Sequence, residues 1–374
     1  MTGLVLILLA AACIASLLLT GVLVRVGAAA GTLDSPGVAG HEKSLRRVPN
    51  IGGIAIAAVF VLPLVAGLVL VHVAPGAVSD AVPAITPWLD RIYATTPTAM
   101  ALLACVVVLH CLGLLDDRRG LGVLPKFLVQ ISCAAVLAIW FDVRMLTVID
   151  TWLGIGPLPS IVMTVVWIVV ITNAMNYLDN MDGVTAGIAV VSGGLLMLAA
   201  LLNAQWFVAG SLALLVGGCL GFLWWNRPPA RIFMGDGGSL VIGFVLSVLV
   251  IRMVWYDPEA GTGLGTAWYS VFMPLIVLAL PIYDFVTVST IRMLQSRNPF
   301  CGDQQHFSHR LVERGLGPFG ALAVLWLLCG VTGMAGLLLA TADATGAVLI
   351  AALVAMVLTV VAVLDFGGRG SIRG

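Results

Sequence analysis

The sequence predicts an all-α polytopic integral membrane protein, and three observations support this prediction. Of the 374 residues, 61% are hydrophobic and only 10% are charged, so the chain is far more apolar than a soluble domain. The mean hydropathy is +1.11. Eleven windows approach the roughly 20 apolar residues that a membrane-crossing helix needs. We therefore expect residues 1–374 to form a single transmembrane domain.

The predicted spans follow one another along the whole chain. They lie at about 3–24, 51–72, 98–115, 124–141, 159–175, 184–203, 206–225, 239–255, 268–291, 318–340 and 344–364. The ninth window is long and contains Pro274 and Pro281. The first window lacks the basic start of a secretory signal, so we expect it to be retained as a span. The segments 73–97, 142–158 and 256–267 are expected to be simple connectors.

The positions of lysine and arginine predict that the N-terminus lies outside and the C-terminus in the cytoplasm. With this orientation, fifteen basic residues lie on the cytoplasmic side, and only Arg91, Arg144 and Arg252 lie outside. The totals of 18 basic and 18 acidic residues balance, so nothing indicates a nucleic-acid partner. The seven cysteines include no C-x-x-C pair and are predicted to be buried thiols rather than disulfides or metal ligands.

A dense polar stretch, 173–183, follows the fifth span. On a continuous helix, Asn173, Asn176, Asp179 and Asp182 recur every three residues and share one face. Carboxylates at a bilayer boundary are costly unless they are paired or solvated, so this face is expected to meet water, a cavity or a bound cation. The alternative is a solvated helix end followed by a loop.

Adjacent carboxylates at the end of the third span form a second cluster on the predicted cytoplasmic side. Neighbouring helical residues point about 100° apart, so one of Asp116 and Asp117 can face a cation and the other a substrate. The alternative is a helix end that Arg118 and Arg119 neutralise. Lys126 enters the next span nearby, where it can pair with the carboxylates, meet a phosphate or anchor the span at the surface.

Two more clusters lie on the same predicted side. The segment 235–239 combines glycines with Asp236 at a helix start, which suits a metal-diphosphate site, or else a helix cap from Asp236 or Ser239. The long polar loop 292–314 holds Asp303, His306, His309 and Arg310. Two histidines alone are weak evidence for zinc, so this loop is expected to bind phosphate or sugar, or to be a plain cytosolic loop.

Together, these segments resemble the polyprenyl-phosphate N-acetylhexosamine-1-phosphate transferase family, also called glycosyltransferase family 4. The matching stretches are Gly113–Asp117, Asn173–Gly183, Phe233–Leu240 and Asp303–Leu311, with Gly31–Pro36 and Pro49–Gly53 as an opening signature. They occur in the family's order and extend over most of the chain.

The resemblance implies transfer of an N-acetylhexosamine-1-phosphate from a UDP-sugar to polyprenyl (undecaprenyl) phosphate, with UMP as the second product. It implies a Mg²⁺ cofactor, with Mn²⁺ as the alternative. It also implies a multi-pass protein of the bacterial plasma membrane that works at the cytoplasmic face of the lipid bilayer, and it leaves a homodimer open.

The resemblance also assigns roles by position. It makes Asp116, Asp117 and Lys126 the catalytic residues, and Asn176 and Asp236 the metal ligands. The implied substrate-binding residues are Asn173, Asp179, Asp182, Asp303, His306, His309 and Arg310.

The last loop separates the branches of the family. WecA-like relatives often carry His-x-His-His, whereas this chain has Ser308 between Phe307 and His309, which leaves the role of that position open. The histidine run followed by Gly-Trp of MraY-type phospho-N-acetylmuramoyl-pentapeptide transferases is absent, which favours N-acetylglucosamine as the sugar. The alternatives are an MraY-type enzyme and a cation-coupled transporter, for which His110 and Asp284 are the best midspan candidates.

Overall fold

The computed structural model describes residues 1–29, 48–253, 267–296 and 306–366. Over these ranges the chain is helical, and it contains no strand. The α-helices are α1 (Thr2–Ala29), α2 (Gly53–Val73), α3 (Pro75–Ala81), α4 (Leu89–Arg119), α5 (Val123–Trp140), α6 (Val148–Leu153), α7 (Leu158–Leu178), α8 (Val184–Leu202), α9 (Trp206–Asn226), α10 (Asp236–Arg252), α11 (Met273–Val277), α12 (Ala279–Leu294), α13 (Phe307–Leu311), α14 (Gly317–Leu339) and α15 (Ala344–Phe366). Two 3₁₀ turns, Pro83–Trp88 and Trp268–Phe272, and a π-turn at Val312–Leu316 complete the helical segments.

The all-α membrane architecture is confirmed, but the count of eleven spans is not. In the described ranges, nine helical segments are long and apolar enough to cross a membrane. A tenth span results if Trp268–Val277 and Ala279–Leu294 are counted together, although they meet at a bend of 63°. Pro274 and Pro281 flank this bend, and proline interrupts helical hydrogen bonding. The predicted orientation and the single domain stay predictions.

The predicted span at 239–255 is not among these segments. It corresponds to α10, which lies at the centre of the bundle. It has 17 residues, or about 26 Å of helix, slightly less than a hydrocarbon core of about 30 Å. Almost all of its residues are buried, and it packs against α2, α4, α7 and α9. Because protein surrounds α10, its length does not have to match the bilayer.

Glycines bring α2 and α4 close to the first turn of α10. A Cβ on Gly113 of α4 would lie 2.4 Å from the carbonyl carbon of Asp236, and one on Gly53 of α2 would lie 2.4 Å from the backbone nitrogen of Gly238. Any side chain at either glycine would therefore push the start of α10 away.

Two of the predicted connectors are structured. The segment 73–97 contains α3, a 3₁₀ turn and the first turns of α4, so the prediction of a plain connector was wrong there. In the segment 142–158, Arg144 Nη1 donates to Asp150 Oδ2 at 2.9 Å and to Ser160 Oγ at 3.1 Å. These bonds fix α6 against the start of α7. The third predicted connector, 256–267, lies almost wholly outside the described residues.

Candidate active site

Three of the predicted polar clusters and Lys126 meet in one hydrogen-bonded network. We call it the carboxylate network, and its members are Asp116, Asp117, Lys126, Asn176 and Asp236. Lys126 Nζ lies 2.8 Å from Asp116 Oδ2 and 2.9 Å from Asp236 Oδ2. Asn176 Nδ2 donates to Asp236 Oδ1 at 2.9 Å. The end of α4, the start of α5, the end of α7 and the start of α10 therefore converge at one end of the bundle, as the sequence predicted.

Asp117 points away from Lys126 and binds the start of α10. Its Oδ1 accepts the backbone N–H of Asp236 at 3.1 Å, and its Oδ2 accepts that of Gly237 at 3.4 Å. Asn50 Nδ2 also donates to Asp117 Oδ1, at 3.1 Å. A carboxylate at a helix N-terminus is favourably placed. The two adjacent carboxylates thus have separate environments, as their angular offset on the helix predicted.

The backbone before α10 requires glycine and is held by the segment 49–53. Gly235 has φ of 69°, and a Cβ there would lie 2.4 Å from Asp117 Oδ2. Phe233 N–H donates to Pro49 O at 2.8 Å, and Gly52 N–H donates to Phe233 O at 2.9 Å. The alternative of a helix cap from Asp236 or Ser239 was wrong, because Gly235 is the N-cap residue and Asp117 of α4 accepts the first two backbone N–H groups of α10.

The polar stretch 173–183 is a helix end followed by a turn, which was the alternative to one continuous helical face. The helix α7 ends at Leu178, and Asp179 follows as its C-cap with ψ of 42°. Asp182 Oδ2 accepts the backbone N–H of Ala230 at 2.9 Å, which ties the turn to the segment before α10. Its carboxylate therefore holds the backbone of the turn rather than extending a helical face, and its substrate role stays a prediction.

Asn173 and Asp179 have different neighbours in the structure. Asn173 is buried, and its Nδ2 donates to Gln130 Oε1 at 2.6 Å. This bond joins α7 to α5. Asp179 lies close enough to Asp117 for their charges to interact. Gln130 lies one turn beyond Lys126, so its position on the same helix face was visible in the sequence, but its partner was not.

The histidine loop is anchored by a buried carboxylate on α12. His306 Nδ1 lies 2.8 Å from Asp284 Oδ2, and the Phe307 N–H donates to Asp284 Oδ1 at 3.0 Å. Arg292 Nη2 lies 3.4 Å from His306 Nε2. Since arginine can only donate, this arrangement assigns the Nδ1–H tautomer to His306.

The remaining loop residues have different neighbours. Ser308 Oγ donates to Asn180 Oδ1 at 2.6 Å, so this position contacts the polar stretch. Arg310 pairs with Asp365 near the end of α15, with Nη2 2.8 Å from Oδ2. The side chain of His309 is half-buried. Asp303 lies outside the described residues, as does the 31–36 part of the opening signature.

Tyr177 joins the histidine loop to the carboxylate network. The Arg292 guanidinium lies 5.1 Å from the centre of the Tyr177 ring, and the His306 ring lies 6.1 Å from it at nearly a right angle. The preceding residue, Asn176, binds Asp236. One turn of α7 therefore contacts both groups of polar side chains.

Sequence reasoning gave no site role to Asn50, Tyr177 or Arg292, and it considered Asp284 only as a midspan ion site. Asn50 and Tyr177 lie inside the quoted motifs, so their positions were available without their contacts. The Asp284 carboxylate is hydrogen-bonded to the His306 ring and to the Phe307 N–H. The Nδ1 atom of His110 lies 2.7 Å from the carbonyl oxygen of Gly237. These contacts give both transporter candidates a structural partner.

The donor set at the network fits a magnesium ion. In the part of the chain that the structure describes, no group of three or more His, Cys, Asp or Glu side chains is arranged to hold a metal. However, Mg²⁺ is usually held by one or two carboxylates together with substrate phosphates. Asp236 and Asn176 supply a carboxylate and an amide, and the Asn50 Oδ1 is buried without a hydrogen-bond partner among the described residues. Hard oxygen donors of this kind suit Mg²⁺ or Mn²⁺.

Comparison with known proteins identifies the family. The model of glycosyl transferase family 4 matches residues 99–254. A probable undecaprenyl-phosphate N-acetylglucosaminyl 1-phosphate transferase of Bacillus subtilis (strain 168) is 30% identical over 320 residues, which cover 83% of this chain and 78% of the relative. The chain belongs to glycosyl transferase family 4. The matched region 99–254 holds the whole of α5, α7 and α10 and most of α4, and therefore all the carboxylate network.

Two other relatives of this chain have different named activities. A decaprenyl-phosphate N-acetylglucosaminephosphotransferase of Mycolicibacterium smegmatis is 30% identical and covers 76% of this chain and 75% of the relative. A phospho-N-acetylmuramoyl-pentapeptide-transferase of Streptomyces coelicolor is also 30% identical, but it covers only 56% of this chain and 66% of the relative.

Proposed function

We propose that this protein transfers N-acetylglucosamine-1-phosphate from UDP-N-acetylglucosamine to a polyprenyl phosphate, giving polyprenyl-diphosphate-N-acetylglucosamine and UMP. The observation that carries the proposal is the placement of Lys126 between Asp116 and Asp236, beside Asn176 and the glycine-rich start of α10. A cation and several oxygen donors at one end of the bundle suit a diphosphate and the metal ion that accompanies it.

The reaction is a displacement at phosphorus. An oxygen of the lipid phosphate forms a bond to the β-phosphorus of the donor, and the bond from that phosphorus to the bridging oxygen breaks as UMP leaves. Charge accumulates on the phosphoryl oxygens, so electrostatic stabilisation is the main requirement. Lys126 supplies one positive charge to this region. A bound Mg²⁺ would supply further charge neutralisation, held by Asp236 and Asn176.

The two adjacent carboxylates have different parts in this scheme. A phosphate monoester is already largely ionised near neutral pH, since its second pKa is about 6. A strong general base is therefore unnecessary, and Asp116, held by Lys126, orients the acceptor phosphate. Asp117 fixes the first turn of α10 through its bonds to two backbone N–H groups. Asp179 and the histidine loop lie on the nucleotide side.

The compartments of the two substrates determine where the reaction takes place. The acceptor is dissolved in the bilayer and the UDP-sugar in the cytosol, so the reaction belongs at the cytoplasmic face of the bacterial plasma membrane. The fit to N-acetylglucosamine rests on relatives of that name that cover most of the chain. The absent histidine run with Gly-Trp makes an MraY-type donor less suitable.

A comparison of two sugar donors tests which donor the protein uses. Purified full-length protein is given undecaprenyl phosphate, Mg²⁺ and either UDP-N-acetylglucosamine or UDP-N-acetylmuramoyl-pentapeptide, and the lipid product is identified by mass spectrometry. We expect a lipid-linked sugar only from UDP-N-acetylglucosamine. Turnover of the pentapeptide donor alone would assign the protein to the other branch. Uptake of a solute into proteoliposomes without any UMP would overturn the transferase proposal.

A further inference from the structure

A groove on the outer surface of the bundle lies between α9 and α14, away from the carboxylate network. Its volume is about 430 Å³, within the range of ligand pockets. The lining side chains are Leu220, Leu223, Trp224, Arg227, Phe319, Leu322, Ala323 and Trp326. All but Arg227 are apolar or aromatic, and no member of the carboxylate network contributes to the groove.

The groove has a charged mouth at one membrane surface. Arg227 follows the last residue of α9, and Phe319 lies in the first turn of α14, so both mark the same end of the bundle. The Arg227 guanidinium stacks on Trp224, 4.1 Å from the ring centre. In the part of the chain that the structure describes, no carboxylate forms an ion pair with Arg227. Its charge is therefore available to a ligand.

We propose that this groove binds an anionic glycerophospholipid, with an acyl chain against the apolar wall and the phosphate on Arg227. A guanidinium donates two parallel hydrogen bonds to a phosphate, and the contact with the Trp224 ring restricts the positions that the Arg227 guanidinium adopts. Exposed tryptophan and arginine at the end of a span are also the residues that meet lipid headgroups. The groove thus complements both parts of the lipid.

The wall of the groove reaches the polar stretch 173–183. Leu223 and Leu322 both flank Gly183, where a Cβ would lie 3.5 and 3.3 Å from their methyl carbons. Trp326 packs directly against Gly187 in α8, because a Cβ there would overlap its indole. A lipid in the groove therefore supports the side chains that hold the turn between α7 and α8, and we expect it to stabilise the protein.

Lipid retention tests this site. The full-length protein is purified in phosphatidylcholine nanodiscs with a fixed fraction of phosphatidylglycerol, and the retained lipids are measured by mass spectrometry after delipidation. We expect wild-type protein to retain phosphatidylglycerol preferentially, Arg227→Gln to bind it about tenfold more weakly, and Ala323→Trp to block the groove. The matched control is Arg231→Gln, which removes an arginine stacked on Trp225 instead, at 5.7 Å, and is expected to retain the lipid normally.

Three results would overturn the proposal: equal retention of both lipids by wild-type protein, normal retention by Arg227→Gln, or an equal loss in Arg231→Gln. Unfolding temperature in phosphatidylcholine alone checks that the variants fold. Because polyprenyl phosphate is itself an anionic lipid, its KM is measured in phosphatidylcholine with Arg227→Gln. We expect an unchanged KM; an increase would assign the groove to the acceptor and would also contradict the proposal.

Discussion

At the scale of single residues, Lys126 has the most demanding position in the candidate site. It is only 22% exposed and lies within 3 Å of two carboxylates from different helices. Without its ammonium group, Asp116 and Asp236 would face each other across a low-dielectric space, where like charges repel. The residue is therefore expected to support both the fold and the chemistry.

Replacing Lys126 separates these two contributions. We expect Lys126→Met to lower the transfer rate about 100-fold or more, the usual cost of losing an electrostatic group at a reacting centre. The free energy of unfolding should fall by about 1–3 kcal/mol, less than for a fully buried pair because the site is partly solvated. UMP release and thermal unfolding in detergent measure the two effects. A wild-type rate in Lys126→Met would remove this residue from the site.

Residue types and spacing predicted this network well, whereas the contacts of the last loop were not predicted. Asp116, Lys126 and Asp236 belong to motifs at the ends of spans on one predicted side, so topology alone brings them together. The partner of His306 is Asp284, 22 positions earlier. No periodic pattern links these two positions, because Asp284 lies on α12 and His306 immediately precedes α13.

At the scale of helices, the close packing of α4 against α10 positions the carboxylates. We expect Gly113→Ala to displace the first turn of α10, to cost about 1–3 kcal/mol of unfolding free energy as overpacked sites do, and to abolish most activity. The matched control is Gly194→Ala in α8, where a Cβ meets nothing within 4 Å. That helical glycine should be neutral or up to about 1 kcal/mol more stable as alanine. Equal behaviour of the two variants by thermal unfolding and UMP release would contradict the packing argument.

The last helix is expected to hold the histidine loop. Arg310 and Asp365 are both buried, and the Tyr283 hydroxyl also donates to Asp365 at 3.1 Å. Removing one partner of a buried ion pair typically costs about 3–5 kcal/mol. We expect Asp365→Ala to lose that stability and to lower activity, because Arg310 then no longer holds the histidine loop against α15.

A double-mutant cycle distinguishes pairing from general damage. Arg310→Ala, Asp365→Ala and the double variant are compared by thermal unfolding. If the two residues act as a pair, the double variant should be no less stable than either single variant. Strictly additive losses would show that Arg310 and Asp365 contribute separately, and would leave the predicted substrate role of Arg310 as the better account.

At the scale of the whole molecule, composition predicted the architecture but not the packing order. Windows such as 239–255 and 344–364 look alike in sequence, because a lipid-facing helix and a central one are both apolar on all sides. In the structure, α10 is almost wholly buried and most of α15 is exposed. The difference comes from close contacts at Gly53 and Gly113, which hydropathy does not reveal.

The turn after α7 shows a second limit of sequence patterns. The spacing of Asn173, Asn176, Asp179 and Asp182 is compatible with one continuous helical face, with a helix end followed by a loop as the alternative. The helix ends earlier because Asp182 is bonded to Ala230 and Gly183 adopts φ of 79°. The partner of Asp182 is Ala230, and the Gly183 N–H donates to Asn226 Oδ1, so both bonds reach residues 48 and 43 positions later that a local periodicity could not foresee. The motif still lies at the site, but as a helix end and a turn.

The central claim is that the carboxylate network forms a metal-dependent transferase site. The most direct test is UMP release from UDP-N-acetylglucosamine and undecaprenyl phosphate by purified wild-type protein, Asp117→Asn and Asp236→Asn, with Mg²⁺ and then with EDTA. The control is Asp90→Asn, an exposed carboxylate at the opposite end of α4. We predict that UMP release requires Mg²⁺, is lost in the two network variants and is normal in the control. Full activity in Asp236→Asn, or in EDTA, would contradict the account.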